Sequence, residues 1–252
     1  MMTTTPVETI TPISGHEVEQ LASTEYGRFV DLLVSLDDGG WSSPTDCPDW
    51  DVRAVAGHSV AMMGDFTSVR SVLRRVRSAT RESKRAGVEL VDGMTATQVA
   101  DAAHLAPAEL MAEAAALAGR TAHWRTTAPG WFRLAPMKAD VGGKEETWKM
   151  GFLLDTILTR DPWMHRVDIV RATGSAHVLT TEHDGRIIAD VVAEWARRHG
   201  QPFTLELTGP AGGHYVAGGG SGEHLSVDAV EFCRILSGRA QGSGLLAQAV
   251  PF

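Results

Sequence analysis

From Gly15 to Gly174 the apolar residues of this chain recur at helical spacing, and past Gly174 that period gives way to strand-like alternation. The switch sorts the chain into a helical part and a small mixed part, an α+β arrangement with a boundary at about residue 176. Val18, Leu21, Tyr26, Phe29, Leu32, Leu33 and Leu36 lie close to one stripe and predict a first helix over 15–36. The Gly-, Pro-, Ser- and Asp-dense stretch "DDGGWSSPTDCPDW" breaks it, and Asp51 can then cap a long second helix running unbroken over 52–79. A third, Ala-rich helical region bends or restarts at Pro107, and "APGWFRLAPMKADVGGKE" reads as a long connection. A fourth helix runs from about Glu146 to Gly174, with Pro162 positioned to kink it. The expected domains are therefore a helical bundle over 1–176 and a small α/β unit over 177–252. The latter holds a helix in "DGRIIADVVAEWARRHG", a half-buried strand marked by Phe203, Leu205 and Leu207, two more short strands, and a closing helix ending near Gly238.

Several function classes are excluded early. A net charge of -8 argues against nucleic-acid or anionic-membrane partners, which call for a basic face. The one basic run, "RSVLRRVRSATRESKR", reads as the solvated end of a helix. With only Cys47 and Cys233 there is no disulfide framework, so a reducing cytoplasm is expected. The first residues lack a basic segment followed by an apolar core, and no run approaches the roughly 18 apolar residues of a membrane span. The glycine clusters "GGGSG" and "LTGPAGG" read as turns, and there is neither a G-x-S-x-G elbow nor an H-E-x-x-H helix.

What remains is the pair Asp161 and His165, four apart inside an otherwise apolar helix and so on one face. Ten His and 31 acids in 252 residues give roughly 2.5 such pairs by chance, from neighbours on one helix face. The chain has two, the other being His224 with Asp228, so spacing alone decides nothing. His58, mid-helix among small and apolar residues, reads alone as a buried histidine bonded to a backbone carbonyl. If the second and fourth helices are bundle neighbours, the three side chains form a different set: two imidazoles and one carboxylate leave an open position, the pattern of catalytic zinc. Cys47, in a Pro-flanked loop without a C-x-x-C partner, reads as a small buried thiol, although it could join such a site.

The stretch "WSSPTDCPDWDVRAVAGHSVAMMGDF" resembles the signature of the mycothiol-dependent maleylpyruvate isomerase family, through Trp41, Pro44, Thr45, Cys47, Pro48, Trp50, Val52, Arg53 and His58. Asp49 stands where that signature usually has Gly. "RDPWMHRVDIVRATG" is similar to the family's fourth-helix signature, including its trailing Asp-x-x-x-x-x-Gly, and "LSGRAQGSGLL" to the end of its sterol-carrier-like C-terminal domain. The resemblance implies a DinB-like four-helix bundle followed by a small α/β domain, with a divalent metal on His58, Asp161 and His165, zinc first and nickel second. It also implies mycothiol as the thiol cofactor and a small-molecule electrophile as substrate, acted on by isomerisation or S-transfer. In the isomerase, thiolate adds to an activated double bond, the adduct rotates, and elimination returns the trans isomer. Asp161 departs from the Glu of the characterised isomerase, being one methylene shorter. Arg239 matches an arginine the family uses near its active site, to pair with a substrate carboxylate or as a structural ion pair. Two rivals stand beside this: a non-enzymatic metal- or ligand-binding bundle, and a thiol-independent zinc hydrolase. A monomer or homodimer is expected.

Overall fold

The computed structural model describes residues 4–252. The chain divides into two compact units. The larger comprises Ser14–Ala139 and Thr147–Ala176; the smaller takes the described residues through Ile13, Asp140–Glu146 and His177–Phe252.

In the larger unit, helix α1 (His16–Ser35) buries Val18, Leu21, Tyr26, Phe29, Leu32 and Leu33, the stripe the sequence marks out, while Leu36 falls at its C-cap. Helix α2 (Val52–Asp65) starts where Asp51 accepts a hydrogen bond from the Ala54 amide at 2.8 Å. Val52, Val55, Ala56, Val60, Met62 and Met63 are all buried, so α2 is enclosed on every side. The single helix predicted over 52–79 is in fact two. Phe66 leaves helical geometry and Ser68 caps α3 (Val69–Ala86) by accepting from the Ser71 amide. The helical period continues across the break, which is why periodicity alone conceals it. The basic run lies on α3, of which only Val72, Arg75 and Ala79 are buried.

Helix α4 (Leu90–Ala102) packs on α3 and α2, and glycines set the close approach: a Cβ on Gly57 would meet the Ala102 Cβ at 2.9 Å, and one on Gly93 the Ala79 carbonyl at 2.6 Å. Helix α5 (Pro107–Thr127) restarts at its proline, with the Glu109 carboxylate accepting from the Ala106 amide. A one-turn α6 (Gly130–Arg133) follows. The expected long connection contains a hairpin, β2 (Pro136–Val141) and β3 (Lys144–Lys149), turned at Gly142 and Gly143 with φ of 60° and 80°. Two adjacent left-handed residues are what a two-residue hairpin turn needs. The fourth long helix begins at Met150, not Glu146: α7 (Met150–Phe152), a π-helical turn (Leu153–Ile157) and α8 (Leu158–Thr173), capped by left-handed Gly174. Helices α1 and α2 each pack on both α5 and α8, which makes these four the bundle; α3 and α4 are an added pair.

In the smaller unit a four-stranded sheet has the order β1-β5-β4-β6, with β1 (Thr4–Pro6), β4 (Phe203–Thr208), β5 (Gly213–Ala217) and β6 (Glu223–Asp228). β5 lies antiparallel to β4, while β6 lies parallel to β4 and β1 parallel to β5. Alternation holds in β4, where Phe203, Leu205 and Leu207 are buried. They meet helices α9 (Arg186–His199) and α10 (Ala229–Leu236) through Trp195, whose fully buried ring lies 4.7 Å from Phe203 and 5.3 Å from Phe232. The Trp195 indole donates to the Leu245 carbonyl at 2.9 Å. The α+β class expected from sequence is the observed one. Among the described residues no helix is long and apolar enough to cross a membrane.

Candidate metal centre

The loop before α2 is fixed by its own hydrogen bonds. Pro44 and Asp51 form an antiparallel bridge, the Val52 amide donates to the Ser43 carbonyl at 3.0 Å, and the Thr45 hydroxyl donates to the Trp50 carbonyl at 2.8 Å while accepting from the Cys47 amide. Closing so tight a loop puts Asp49 at φ 65°, the one described non-glycine residue with positive φ. That is why Gly suits this position in the pattern the loop resembles; Asp tolerates the left-handed region at modest cost. The loop holds Trp50 against the site, its ring 5.2 Å from His58 and 6.2 Å from His165.

On the opposite wall, Pro162 leaves α8 unbroken but has no N–H for the Leu158 carbonyl. Arg125 of α5 supplies the missing donor: its Nη1 reaches the Leu158 carbonyl at 2.9 Å, its Nε the Leu154 carbonyl at 2.7 Å, and its Nη2 the Thr159 hydroxyl. Arg125 is fully buried. The helix irregularity therefore lies in the π turn just before Asp161, and a neighbouring helix makes good its backbone hydrogen bonds. Deeper along α8, Arg166 grips Glu25 of α1 with two hydrogen bonds of 2.6 and 3.1 Å.

Between these walls His58, Asp161 and His165 come together, each offering a ligand atom within 4.8 Å of the others. The Asp161 Oδ1 is 3.3 Å from His165 Nε2, and its Oδ2 is 3.7 Å from His58 Nε2. Both imidazoles are only 5% exposed, whereas the Asp161 side chain keeps 22% while its Oδ2 is buried. Burial alone would push the Asp161 carboxyl up, but the His165 and His58 rings facing it outweigh that and hold it well below the usual range. Burial likewise opposes the charged form of His165, and the Asp161 charge, with hydrogen bonds to Asp161, Asp168 and Cys47, carries its pKa above the ordinary value. Asp161 Oδ2 and His58 Nδ1 are buried without a hydrogen-bond partner among the described residues. Buried polar atoms without partners are costly, and Asp161 Oδ2 stands 3.7 Å from His58 Nε2, beyond hydrogen-bond reach. The donor set and its spacing fit a divalent cation.

The sequence profile of the mycothiol maleylpyruvate isomerase N-terminal domain family matches residues 22–170, more than half of the chain. The chain belongs to this family. Two solved structures share its fold: the crystal structure of the mycothiol-dependent maleylpyruvate isomerase and that of a histidine-to-alanine mutant of it. Both align at a TM-score of 0.53 with 18% identity; the wild-type alignment covers 96% of this chain and 94% of the other, the mutant's 95% and 93%. No curated protein gives a significant match to the sequence.

The structure thus brings three of the four residues singled out from sequence into one cluster. Arg239 lies in the smaller unit, half-buried in the turn after α10, its amide donating to the Arg234 carbonyl at 2.9 Å. Sequence reasoning assigned no role to Asp168, fully buried with its Oδ2 3.0 Å from His165 Nδ1, although its i+3 spacing from His165 was the available signal. It read Cys47 as a small buried thiol that could join the site; the thiol is half-buried and lies 3.3 Å from the same Asp168 oxygen. It named Trp50 only as part of the signature, and did not foresee that its ring stands beside the two imidazoles.

Proposed function

We propose that this protein holds a divalent ion, zinc in first place, on His58, Asp161 and His165 and uses it to activate mycothiol against an electrophilic small molecule, as an isomerase or S-transferase. The observation that carries the reading is the convergence of two imidazoles and one partly exposed carboxylate, with a buried carboxylate oxygen left unpartnered. Three protein ligands leave a position for an incoming group, as in catalytic rather than structural zinc sites. A bound divalent cation would supply thiolate at neutral pH by lowering the pKa of a sulfur ligand.

The chain's own residues do the rest. Asp161 and the two imidazoles fix where the thiol sulfur is received. Trp50 covers the rings and keeps water from them, which strengthens the local electrostatics. The thiol must come from outside, because Cys47 already donates to Asp168 and Cys233 is fully buried. Arg239 is proposed to pair with a carboxylate of the substrate, on the strength of the motif around it.

The test combines elemental analysis with turnover. Purified protein is expected to carry about one divalent ion per chain and to turn over an activated alkene such as maleylpyruvate only with mycothiol present. Equal rates without thiol would promote hydrolysis by metal-bound water. Metal that stays substoichiometric after adding zinc or nickel would remove the catalytic-metal reading.

A further inference from the structure

Along α8 the residues Asp161, His165 and Asp168 follow at spacings of four and three, so all three project from one face. His165 sits between two carboxylates and offers one ring nitrogen to each. Its Nε2 faces Asp161 at 3.3 Å and its Nδ1 faces Asp168 at 3.0 Å. The two carboxylates are in different situations: Asp161 is partly open, whereas Asp168 is fully buried. A third group completes the arrangement, for the Cys47 thiol donates to the same Asp168 oxygen at 3.3 Å from the loop before α2. The Cys47 sulfur is itself 4.0 Å from His165 Nδ1, at the limit of a sulfur hydrogen bond and a weaker partner for the ring than Asp168 at 3.0 Å.

We infer that Asp168 is the positioning residue of the metal centre. It accepts the Nδ1 proton of His165, fixes the tautomer that leaves Nε2 free to ligate, and is itself held by the Cys47 thiol at the same oxygen. A carboxylate behind a ligating imidazole fixes the ring's orientation and raises its basicity. Here it also joins the two halves of the site, since Cys47 belongs to the loop that carries Trp50 and leads into the helix of His58, whereas His165 and Asp168 belong to α8. Cys47 then has a purpose that neither nucleophilic nor inert burial explains: it is a donor to a buried carboxylate. The inference rests on the metal reading given above.

Zinc affinity measured by competition with a chromophoric chelator, together with melting of the metal-free protein, tests it. Asp168→Asn is expected to bind zinc roughly 10–100-fold more weakly than wild type, the usual consequence of removing an outer carboxylate, while metal-free melting stays close to wild type. Cys47→Ser, whose hydroxyl can donate to the same oxygen, is expected to stay within about threefold of wild type, with Cys47→Ala weaker than Cys47→Ser. In zinc-loaded wild type with 15N-labelled histidine, one imidazole should show an Nδ1 proton shielded from exchange and zinc on Nε2; that proton resonance should be lost in Asp168→Asn. Unchanged zinc affinity in Asp168→Asn, or a His165 that ligates through Nδ1, overturns the inference. Should Asp168→Asn fail to fold, the wild-type spectrum alone decides between the two ring nitrogens. A wild-type protein that takes no zinc defeats the metal reading itself, and this inference with it; wild-type binding with an indifferent Asp168→Asn defeats only the inference.

Discussion

Two interiors of this molecule are built on opposite terms. Around Trp195 the smaller unit packs the rings of His199, Phe203 and Phe232 at 4.3, 4.7 and 5.3 Å; the indole N–H is satisfied by the Leu245 carbonyl, and His199 Nε2 is buried without a hydrogen-bond partner among the described residues. At the metal centre the bundle buries His58, His165 and Asp168 completely or nearly so, leaves two polar atoms without partners, and brackets the set with the buried cations Arg125 and Arg166. The first arrangement is what stability alone selects. The second costs desolvation that apolar side chains would avoid, as a site arranged to take a ligand would. The comparison teaches where to look: a lone unpartnered nitrogen such as that of His199 marks no site, whereas the candidate site lies where two imidazoles and a carboxylate converge and two unpartnered atoms fall among them.

The contrast breaks most visibly if the apolar interior tolerates damage. Trp195→Ala should cost about 3–5 kcal/mol in chemical denaturation, with zinc affinity of the folded fraction unchanged. Arg166→Met, which strands the Glu25 carboxylate in the bundle, should cost about 3–5 kcal/mol, and adding Glu25→Leu should recover most of it. Recovery of stability without any change in zinc binding would mean that this pair is scaffold alone. His58→Ala should abolish stoichiometric metal while moving the metal-free melting transition by no more than about 1 kcal/mol, because the ring has an unpartnered nitrogen to lose. A large melting loss there would place the histidine with Trp195 and against the contrast. Smallest of all, Asp49→Gly should stabilise by up to about 1 kcal/mol by relieving a left-handed aspartate, and leave metal affinity alone.

These expectations also measure how far the sequence could be read. The α1 stripe, the restart at Pro107 and the alternation in β4 are local patterns and were legible as such. The break at Ser68 was hidden because a helical period runs through it, and the hairpin was hidden in a stretch whose only strong signal is the Gly142–Gly143 pair. Pairing of β1 with β5 joins residues from opposite ends of the chain, which no local pattern encodes. His58, Asp161 and His165 could be proposed because spacing and motif agreed. Asp168 carried a signal in its i+3 spacing from His165, but its meeting with Cys47 depends on a loop closing over a helix more than a hundred residues away, which no local pattern encodes.

The Arg125 bridge to the π turn bears on how quickly the site could open. With carbonyls of Leu154 and Leu158 bound to a side chain of α5, the segment carrying Asp161 and His165 cannot fray on its own without stranding a buried guanidinium. Release of a bound ion by local unwinding would then require two helices to separate together. The dwell time of a metal bound there would in that sense be set by a residue outside the candidate ligand set.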